Sequence, residues 1–550
     1  MLTSLKVKLA LSLSSAALVA TACSAESTPA PTEAEAWFAF GLARDQPGLV
    51  DRVLGIAVPN ADQYQQYLST DQIATDFGAD PGIASQALET LVAAGFSGQV
   101  DASGGVVVGS FSVAEAQAFF GVEIQVITNS DGTTSIAPAE TLTVPDALPE
   151  QVTEVFGGRA TLSNLTAASS DSPSMSAASP DCPEDTPAAR TRKEINDLYG
   201  LKSLYAAGLS GKGVRVGLLE IDVYSEDAID LYTRCLGYPM PDIAVTSVNA
   251  TAEQLTQTNT ESSLDIVSLG LAAPGLSEAD LIQFDQNSSL IFPFAHVVNQ
   301  QADTKTSLDL ISTSVAFCAA EMDPSELLMT EWLLAAAAAT GLTVVASSGD
   351  SGSSGCYPGS ESAGVQYPSE SAFALSVGGT QLTADGGQSQ ASDRSTASTG
   401  SQAVWSEAPG QNFAGGGGPS TNFGRPPYQD ATGLDQSMRQ TPDIAFVASP
   451  SDLGPIAVCS PNSACEFESV AGTSAAAPAV AGALALVLEK RADGTGEQAS
   501  TSRLGLLNPW LYTAASTAKT ADVAIDVVQG NNDLFGTGCC VAQQGYDMAS

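Results

Sequence analysis

The sequence predicts an α/β protein in two parts: a small N-terminal α/β module and a larger parallel sheet flanked by helices. Three observations carry this. Short apolar, strand-like runs alternate with segments of helical spacing, the pattern of a helix-covered parallel sheet. Residues 161–190, rich in Ser, Ala, Pro and Thr, break that pattern and show no apolar period. At 550 residues, 44% of them hydrophobic, the chain is long enough for about two to four domains with sizeable cores.

The N-terminus reads "MLTSLKVKLALSLSSAALVATAC". Lys6 and Lys8 precede an apolar run too short to span a bilayer, so residues 1–23 are expected to be a secretory signal. "LVATAC" resembles a bacterial lipobox, which would make Cys23 the lipidated first residue; a plain signal peptide is the alternative. Setting Cys23 aside leaves Cys182, Cys235, Cys318, Cys356, Cys459, Cys465, Cys539 and Cys540. An even set in an exported chain fits disulfides. Cys459 and Cys465 are close enough to staple a loop, whereas adjacent Cys539 and Cys540 are expected to pair elsewhere.

Residues 36–160 form the first module. "DPGIASQALETLVAAGF" has helical spacing with an Asp cap and a Gly stop, "GGVVVGSFS" reads as a strand, and "SVAEAQAFFGVEIQVI" as a helix running into a strand. The 161–190 linker is an exposed place for proteolytic cutting. In residues 191–550, "GKGVRVGLLEIDVY", "DLIQFD", "SLDLISTSVAF", "GLTVVASSGD" and "AFALSVGGTQL" are expected strands. "TESSLDIVSLGLA" and "PSELLMTEWLLAAAAATG" are expected helices. Residues 470–489 are apolar enough to suggest a membrane span, but their Ala and Gly content and their α/β setting favour a buried helix.

Charged residues make up only 15%, against about a quarter in ordinary domains. Acidic residues number 61 and basic ones 20, a net charge of −41 that argues against nucleic acid or an anionic membrane as a partner. The self-repulsion relaxes as carboxylates protonate near pH ~4. That fits either a solvated acidic surface or a protein that works in acid.

The reactive-serine candidate is Ser474 in "GTSAAAP", at the mouth of the apolar helix. A helix N-terminus and its free N–H groups can stabilise an oxyanion; the alternative is an ordinary helix start. A serine nucleophile needs a base. The one histidine in the chain, His296, lies in "FPFAHVVNQ", an apolar strand-like context typical of a packed residue. In acid it would be protonated and useless as a base, whereas a carboxylate has a suitable pKa. Glu261 and Asp265 stand four apart, so they share a helix face. Sharing a proton would relieve their repulsion and perturb both pKa values; two solvated surface carboxylates are the alternative. Asp350 in "VVASSGDSGSSG" follows an apolar strand, at the edge where ligands gather in parallel sheets. Protonated, it could donate to an oxyanion; otherwise it is turn chemistry.

These residues together resemble the sedolisins, the serine-carboxyl peptidases that include the kumamolisins. "VAGTSAAAP" matches the family's nucleophile motif, "ESSLDIVSLGLAAPG" its Glu-x-x-x-Asp helix, and "SSGDSGSSG" its oxyanion segment. "YPSESAFALSVGGTQL", "GGGGPSTNFGRPPYQ", "RQTPDIAFVASP" and "LGLLNPWLYTAA" match further along. The resemblance implies a subtilisin-like fold and an endopeptidase with Ser474 as nucleophile, Glu261 as base, Asp265 as its partner and Asp350 as oxyanion donor. It also implies that residues 36–160 are a propeptide acting as an intramolecular inhibitor and removed by a cut within the linker. The family's single Ca2+ site would fall on the Asp526 and Asp547 side chains and the carbonyls of Val527, Gln543 and Gly545, an oxygen cage suited to calcium. The family's substrate strand, Ser-x-Ser-Tyr-Gly, departs here to "STSVAFCAAE", with Val315 and Ala316 in the last two positions. The expected product is a monomeric, secreted or cell-surface peptidase acting on proteins and peptides.

Two rival readings stand beside this one. A subtilisin-type peptidase would pair His296 with Asp222 of "LLEIDVYSED". A non-catalytic cell-surface binding protein would use the same scaffold without chemistry.

Overall fold

The computed structural model describes residues 28–128, 134–162, 198–236, 240–256, 259–382, 402–407, 413–432, 437–450, 452, 456–458, 465–492, 503–517, 527 and 529–536. The signal segment with Cys23, the linker from residue 163, Cys182, Cys459, Cys539, Cys540, Asp526, Gln543, Gly545 and Asp547 lie outside the described residues.

The N-terminal part is a seven-stranded antiparallel sheet with helices. Its strands are β1 (Thr28–Pro29), β2 (Glu35–Leu42), β3 (Ser97–Val100), β4 (Val106–Ser112), β5 (Ile124–Thr128), β6 (Thr134–Pro138) and β7 (Val152–Thr161). They lie in the order β1-β5-β6-β7-β2-β4-β3. Along β2 the side chains alternate. Phe38 and Phe40 enter a core with Phe96, Phe111 and Leu91, while Trp37 and Ala39 face the larger part of the molecule. The helix Pro81–Ala93 starts where Asp80 accepts the Gly82 and Ile83 N–H groups at 2.8 and 3.2 Å. The helix Val113–Phe120 opens on a Ser112–Glu115 capping box and ends at Gly121, whose φ of 68° suits glycine.

The larger part is built on β8 (Val216–Glu220), β9 (Asp242–Ser247), β10 (Glu278–Gln283), β11 (Leu310–Thr313), β12 (Phe317–Cys318) and β13 (Thr343–Ser347). It continues through β14 (Gln366–Tyr367), β15 (Ala374–Leu382), β16 (Gln402–Val404), β17 (Gly418–Gly424), β18 (Met438–Thr441) and β19 (Ile444–Val447). Eight of these make the main sheet, in the order β16-β15-β13-β11-β8-β10-β9, with β19 beside β15. Every pairing in it is parallel except β15 with β16. The central strands are apolar runs because helices cover both faces.

On one face the helices Thr260–Ala272 and Thr473–Ala492 pack against each other. A Cβ at Gly482 would lie 2.7 Å from Ala272 Cβ and 2.8 Å from the Leu269 carbonyl oxygen, so the Ala/Gly composition of the second helix is what allows the approach. This segment, the one suggestive of a membrane span, is a buried helix. Among the described residues no helix is long and apolar enough to cross a membrane.

On the other face the helices Ile291–Gln300 and Pro324–Ala339 lie between the main sheet and the N-terminal sheet, in one continuous apolar core with residues of both parts. Trp37 meets Phe292 edge-on at 5.6 Å, Trp332 Nε1 donates to Ser103 Oγ at 2.7 Å, and the Ala102 N–H donates to Asn299 Oδ1 at 2.7 Å. Here one expectation is corrected: "FPFAHVVNQ" is helical, not strand-like. Residues 291–295 are five successive buried apolar residues, and a short continuous apolar run reads as strand or helix alike. Pro293 sits in the first turn, where its missing N–H costs nothing. A disulfide joins Cys318 to Cys356, and Cys235 and Cys465 are also disulfide-bonded.

Candidate active site

Strands β13, β11 and β8 are neighbours, and the loops leaving their C-terminal ends meet at one edge of the sheet, where parallel sheets hold their ligands. Ser314 directly follows β11, Asp350 lies just beyond β13, and Glu220 closes β8. The helix Thr260–Ala272 brings Glu261 and Asp265 to this edge, and the helix Thr473–Ala492 brings Ser474. The structure therefore gathers Glu261, Asp265, Asp350 and Ser474 in one place.

Asp265 is fully buried and Glu261 partly so. Burial, then the charge of Asp265, holds the Glu261 carboxyl well above the usual carboxylate range, and burial does the same to Asp265. Glu220 is the third member. It is fully buried against Asp265, and burial and the Asp265 charge push it up as well. Treated as carboxylates, both Glu220 oxygens, Glu261 Oε1 and Asp265 Oδ1 have no donor. Two carboxyl groups bond only with a proton between them, so the cluster is built to hold shared protons.

Ser474 is 1% exposed, and its Oγ makes no hydrogen bond of ordinary geometry. It nevertheless lies close enough to Glu261 to oppose the rise in that carboxyl's pKa. Contacts of this kind tighten when substrate binds. Four residues on, Pro478 has no N–H to give the Ser474 carbonyl. Ser314 fills the gap: its Oγ lies 3.2 Å from that carbonyl oxygen and 2.8 Å from Asp265 Oδ2. A hydroxyl has one proton. Ser314 therefore donates to the nearer oxygen, Asp265 Oδ2, and shares that proton only weakly with the Ser474 carbonyl.

Asp350 is buried, and desolvation pushes its pKa up to about 6. Thr473 donates to its Oδ1 twice, from N–H at 2.8 Å and from Oγ1 at 2.9 Å. Oδ2 is left buried without a partner. Gly472, at φ 126°, opens the space beside it: a Cβ there would come within 2.4 Å of Oδ2. A proton on Oδ2 would make an O–H donor next to the Ser474 helix.

His296 is elsewhere. It rides on the helix Ile291–Gln300, half-buried, with Asp280 as its charged neighbour and its pKa lowered by burial. Asp280 pairs with Gly217 in the lower half of the sheet, away from the C-terminal edge. Asp222 is not beside His296 but under the Glu261 helix. The His296–Asp222 arrangement of the rival reading does not exist. Of the expected calcium ligands only Val527, which is buried, is among the described residues.

Sequence reasoning did not assign Ser314, Thr473 or Glu220 to the site. Thr473 adjoins the nucleophile candidate, Ser314 lies in the quoted "STSVAF", and Glu220 is a lone acid ending an all-apolar strand. That last misfit between residue and setting was the available signal.

A helix-covered parallel sheet whose C-terminal edge sets a hydroxyl against a carboxyl cluster defines a serine-carboxyl variant of the subtilisin-like fold. The Subtilase family matches residues 304–538, and the Pro-kumamolisin, activation domain matches residues 22–161. Kumamolisin of Bacillus sp. (strain MN-32) is 27% identical over 365 residues, 63% of this chain and 58% of that protein. Sedolisin of Pseudomonas sp. (strain 101) is 27% identical over 417 residues, 72% of this chain and 65% of that protein. The chain thus spans less than two thirds of either relative. Pseudomonas sedolisin, a serine-carboxyl proteinase solved with two molecules of pseudo-iodotyrostatin, shares the fold. Its TM-score is 0.52 at 24% identity, over 65% of this chain and 92% of that one. The chain is similar to the sedolisin family, with a match to the pro-kumamolisin activation domain ahead of a match to the subtilase family.

Proposed function

We propose that the chain is the precursor of an acid-acting serine-carboxyl endopeptidase that cleaves proteins through an acyl-enzyme on Ser474. The carrying observation is the proton-sharing cluster of Glu261, Asp265 and Glu220 facing the Ser474 hydroxyl, with the partnerless Asp350 Oδ2 beside the same helix.

In this reading the cluster has lost one proton, and Glu261 carries the charge when substrate is bound. Ser474 Oγ bonds to the peptide carbonyl carbon while its proton passes to Glu261. Asp265 shares the proton load. The oxyanion accepts from protonated Asp350 and from the Ser474 N–H. Collapse breaks the C–N bond, and Glu261 returns the proton to the leaving amine. Water then attacks the ester and gives its proton to Glu261, and the second collapse breaks the ester C–O bond as Glu261 hands that proton back to Ser474 Oγ. Activity needs one charge on the cluster and a proton on Asp350. The window is therefore acidic, with its upper limb near the Asp350 value of about 6.

The same reading takes residues 36–160 as an inhibitory propeptide, cut off by the enzyme itself within 161–190 to leave 191–550. Export through residues 1–23, with lipidation of Cys23, would deliver the precursor outside the cytoplasm and hold it at the cell surface until the cut. One Ca2+ would be held by the carboxylates of Asp526 and Asp547 and the carbonyls of Val527, Gln543 and Gly545. Hard oxygen donors of this kind suit that ion, which would fix the loop rather than take part in catalysis.

The test is to bring the full chain and its Ser474→Ala variant to about pH 4 and follow chain length by mass spectrometry. Loss of the N-terminal ~160–190 residues by the unmutated chain alone supports the reading. Intact chains in both cases, with no cutting of an unfolded test protein, favour a non-catalytic binding scaffold.

A further inference from the structure

Glu261 lies in the first turn of its helix, where N–H groups have no intrahelical acceptor. The N-cap residue, Asn259, supplies no side-chain cap. Asp222 does so from across the fold. Its Oδ2 accepts the Glu261 N–H at 3.0 Å, and its Oδ1 accepts the Ser262 N–H at 3.1 Å.

Asp222 is itself held from several sides. It follows β8, its carbonyl accepts from Gln283 Nε2 at 2.8 Å at the end of β10, and it bridges to Thr256. Val223 next to it donates its N–H to the Thr256 carbonyl, while its own carbonyl accepts from Ser262 Oγ at 3.1 Å. Asp222 is 2% exposed and Ser262 fully buried, so solvent is not available to replace the carboxylate.

We propose that Asp222 is a positioning residue that ties the first turn of the Glu261 helix to the end of β8, and so sets where the Glu261 carboxyl meets Ser474. This rests on the peptidase reading. A helix capped by its own N-cap side chain is free to shift as a body. One capped by a carboxylate rooted in the main sheet shares the frame of Ser314 and Asp350, which leave neighbouring strands of that sheet.

The test uses the full-length chain, matured at about pH 4, as wild type, Asp222→Ala and Asp222→Asn. Turnover of acid-unfolded haemoglobin is measured per folded molecule, and amide hydrogen exchange is read at Glu261 and Ser262. Misplacing a reacting group by about 1 Å can cost about 100-fold. The alanine variant is therefore expected to lose about 10- to 100-fold in kcat with KM little changed, and to lose amide protection at both positions. Asparagine keeps one acceptor oxygen and should recover part of both. A folded alanine variant with wild-type kcat and unchanged protection overturns the proposal, as does asparagine doing no better than alanine. If the wild type itself cuts nothing, the peptidase reading falls. The exchange data then still decide whether Asp222 anchors the helix.

Discussion

Thr473 grips Asp350 on one oxygen only: its N–H and its hydroxyl both donate to Oδ1, at 2.8 and 2.9 Å, and Oδ2 stays buried with no partner. The carboxyl is thereby fixed in orientation while its second oxygen remains free to carry a proton. An Asp350→Asn variant should keep a donor, the amide N–H, that no longer depends on pH. Its pH–rate profile should lose the upper limb near 6, whereas Asp350→Ala should lose about 100- to 1,000-fold in kcat at every pH. An asparagine variant whose profile still falls near pH 6 would remove Asp350 from this role.

Ser314 opposes the rise in the Asp265 pKa through its 2.8 Å contact. Ser314→Ala should therefore raise that pKa further. The fully protonated cluster would then persist to higher pH, and the lower limb of the profile should move upward. A pH titration of the single-turnover self-cleavage rate measures this, and an unmoved lower limb would contradict it.

Glu331 is buried, accepts from the Tyr367 hydroxyl at 3.0 Å, and is pushed by burial from 4.5 to about 7. Its folded-state pKa is raised, so between these values the folded chain holds a proton that the unfolded chain releases. The associated stability is fully present below about 4.5 and lost as pH rises through about 7. The amount is on the order of 3 kcal/mol. Melting at pH 4 and pH 7 should show a lower Tm at pH 7, and Glu331→Gln should narrow the gap. Equal gaps in the two proteins would exclude Glu331 as a contributor.

Thr161, at the end of β7, is bound through every polar group it has. Its N–H and Oγ1 donate to Asp285 at 2.5 and 2.6 Å, Oγ1 accepts from Asn287 Nδ2 at 2.8 Å, and its carbonyl accepts from Gln254 Nε2 at 2.6 Å. Hydrogen bonds to a charged group are worth about 1.5–3 kcal/mol. Asp285→Ala should speed dissociation of the cut N-terminal part by about 10- to 100-fold, read as the rate at which inhibition is relieved. An unchanged rate would place the holding contacts elsewhere, at Trp332 and Phe292.

Much of this was legible along the chain. Asp80, Ser112 and Gly121 mark helix ends because capping acts within one turn. Glu261 and Asp265 share a face because four residues make about one turn. The helix at His296 was not legible, since the apolar run that opens it suits a strand or a helix alike. Nor was the rival pairing of Asp222 with His296 refutable from spacing, because only the sheet decides which strand ends are neighbours.

The sequence by itself determined the chemistry available and its local geometry: a serine opening a helix, two acids on another helix face, and an aspartate after a strand. Tertiary structure alone decided that Glu220 completes the carboxyl cluster, that Ser314 takes the carbonyl Pro478 leaves free, and that Asp222 caps the Glu261 helix. Propensity and capping depend on residues a turn apart, whereas a buried carboxyl's proton depends on which groups the fold sets against it and how little water it leaves there.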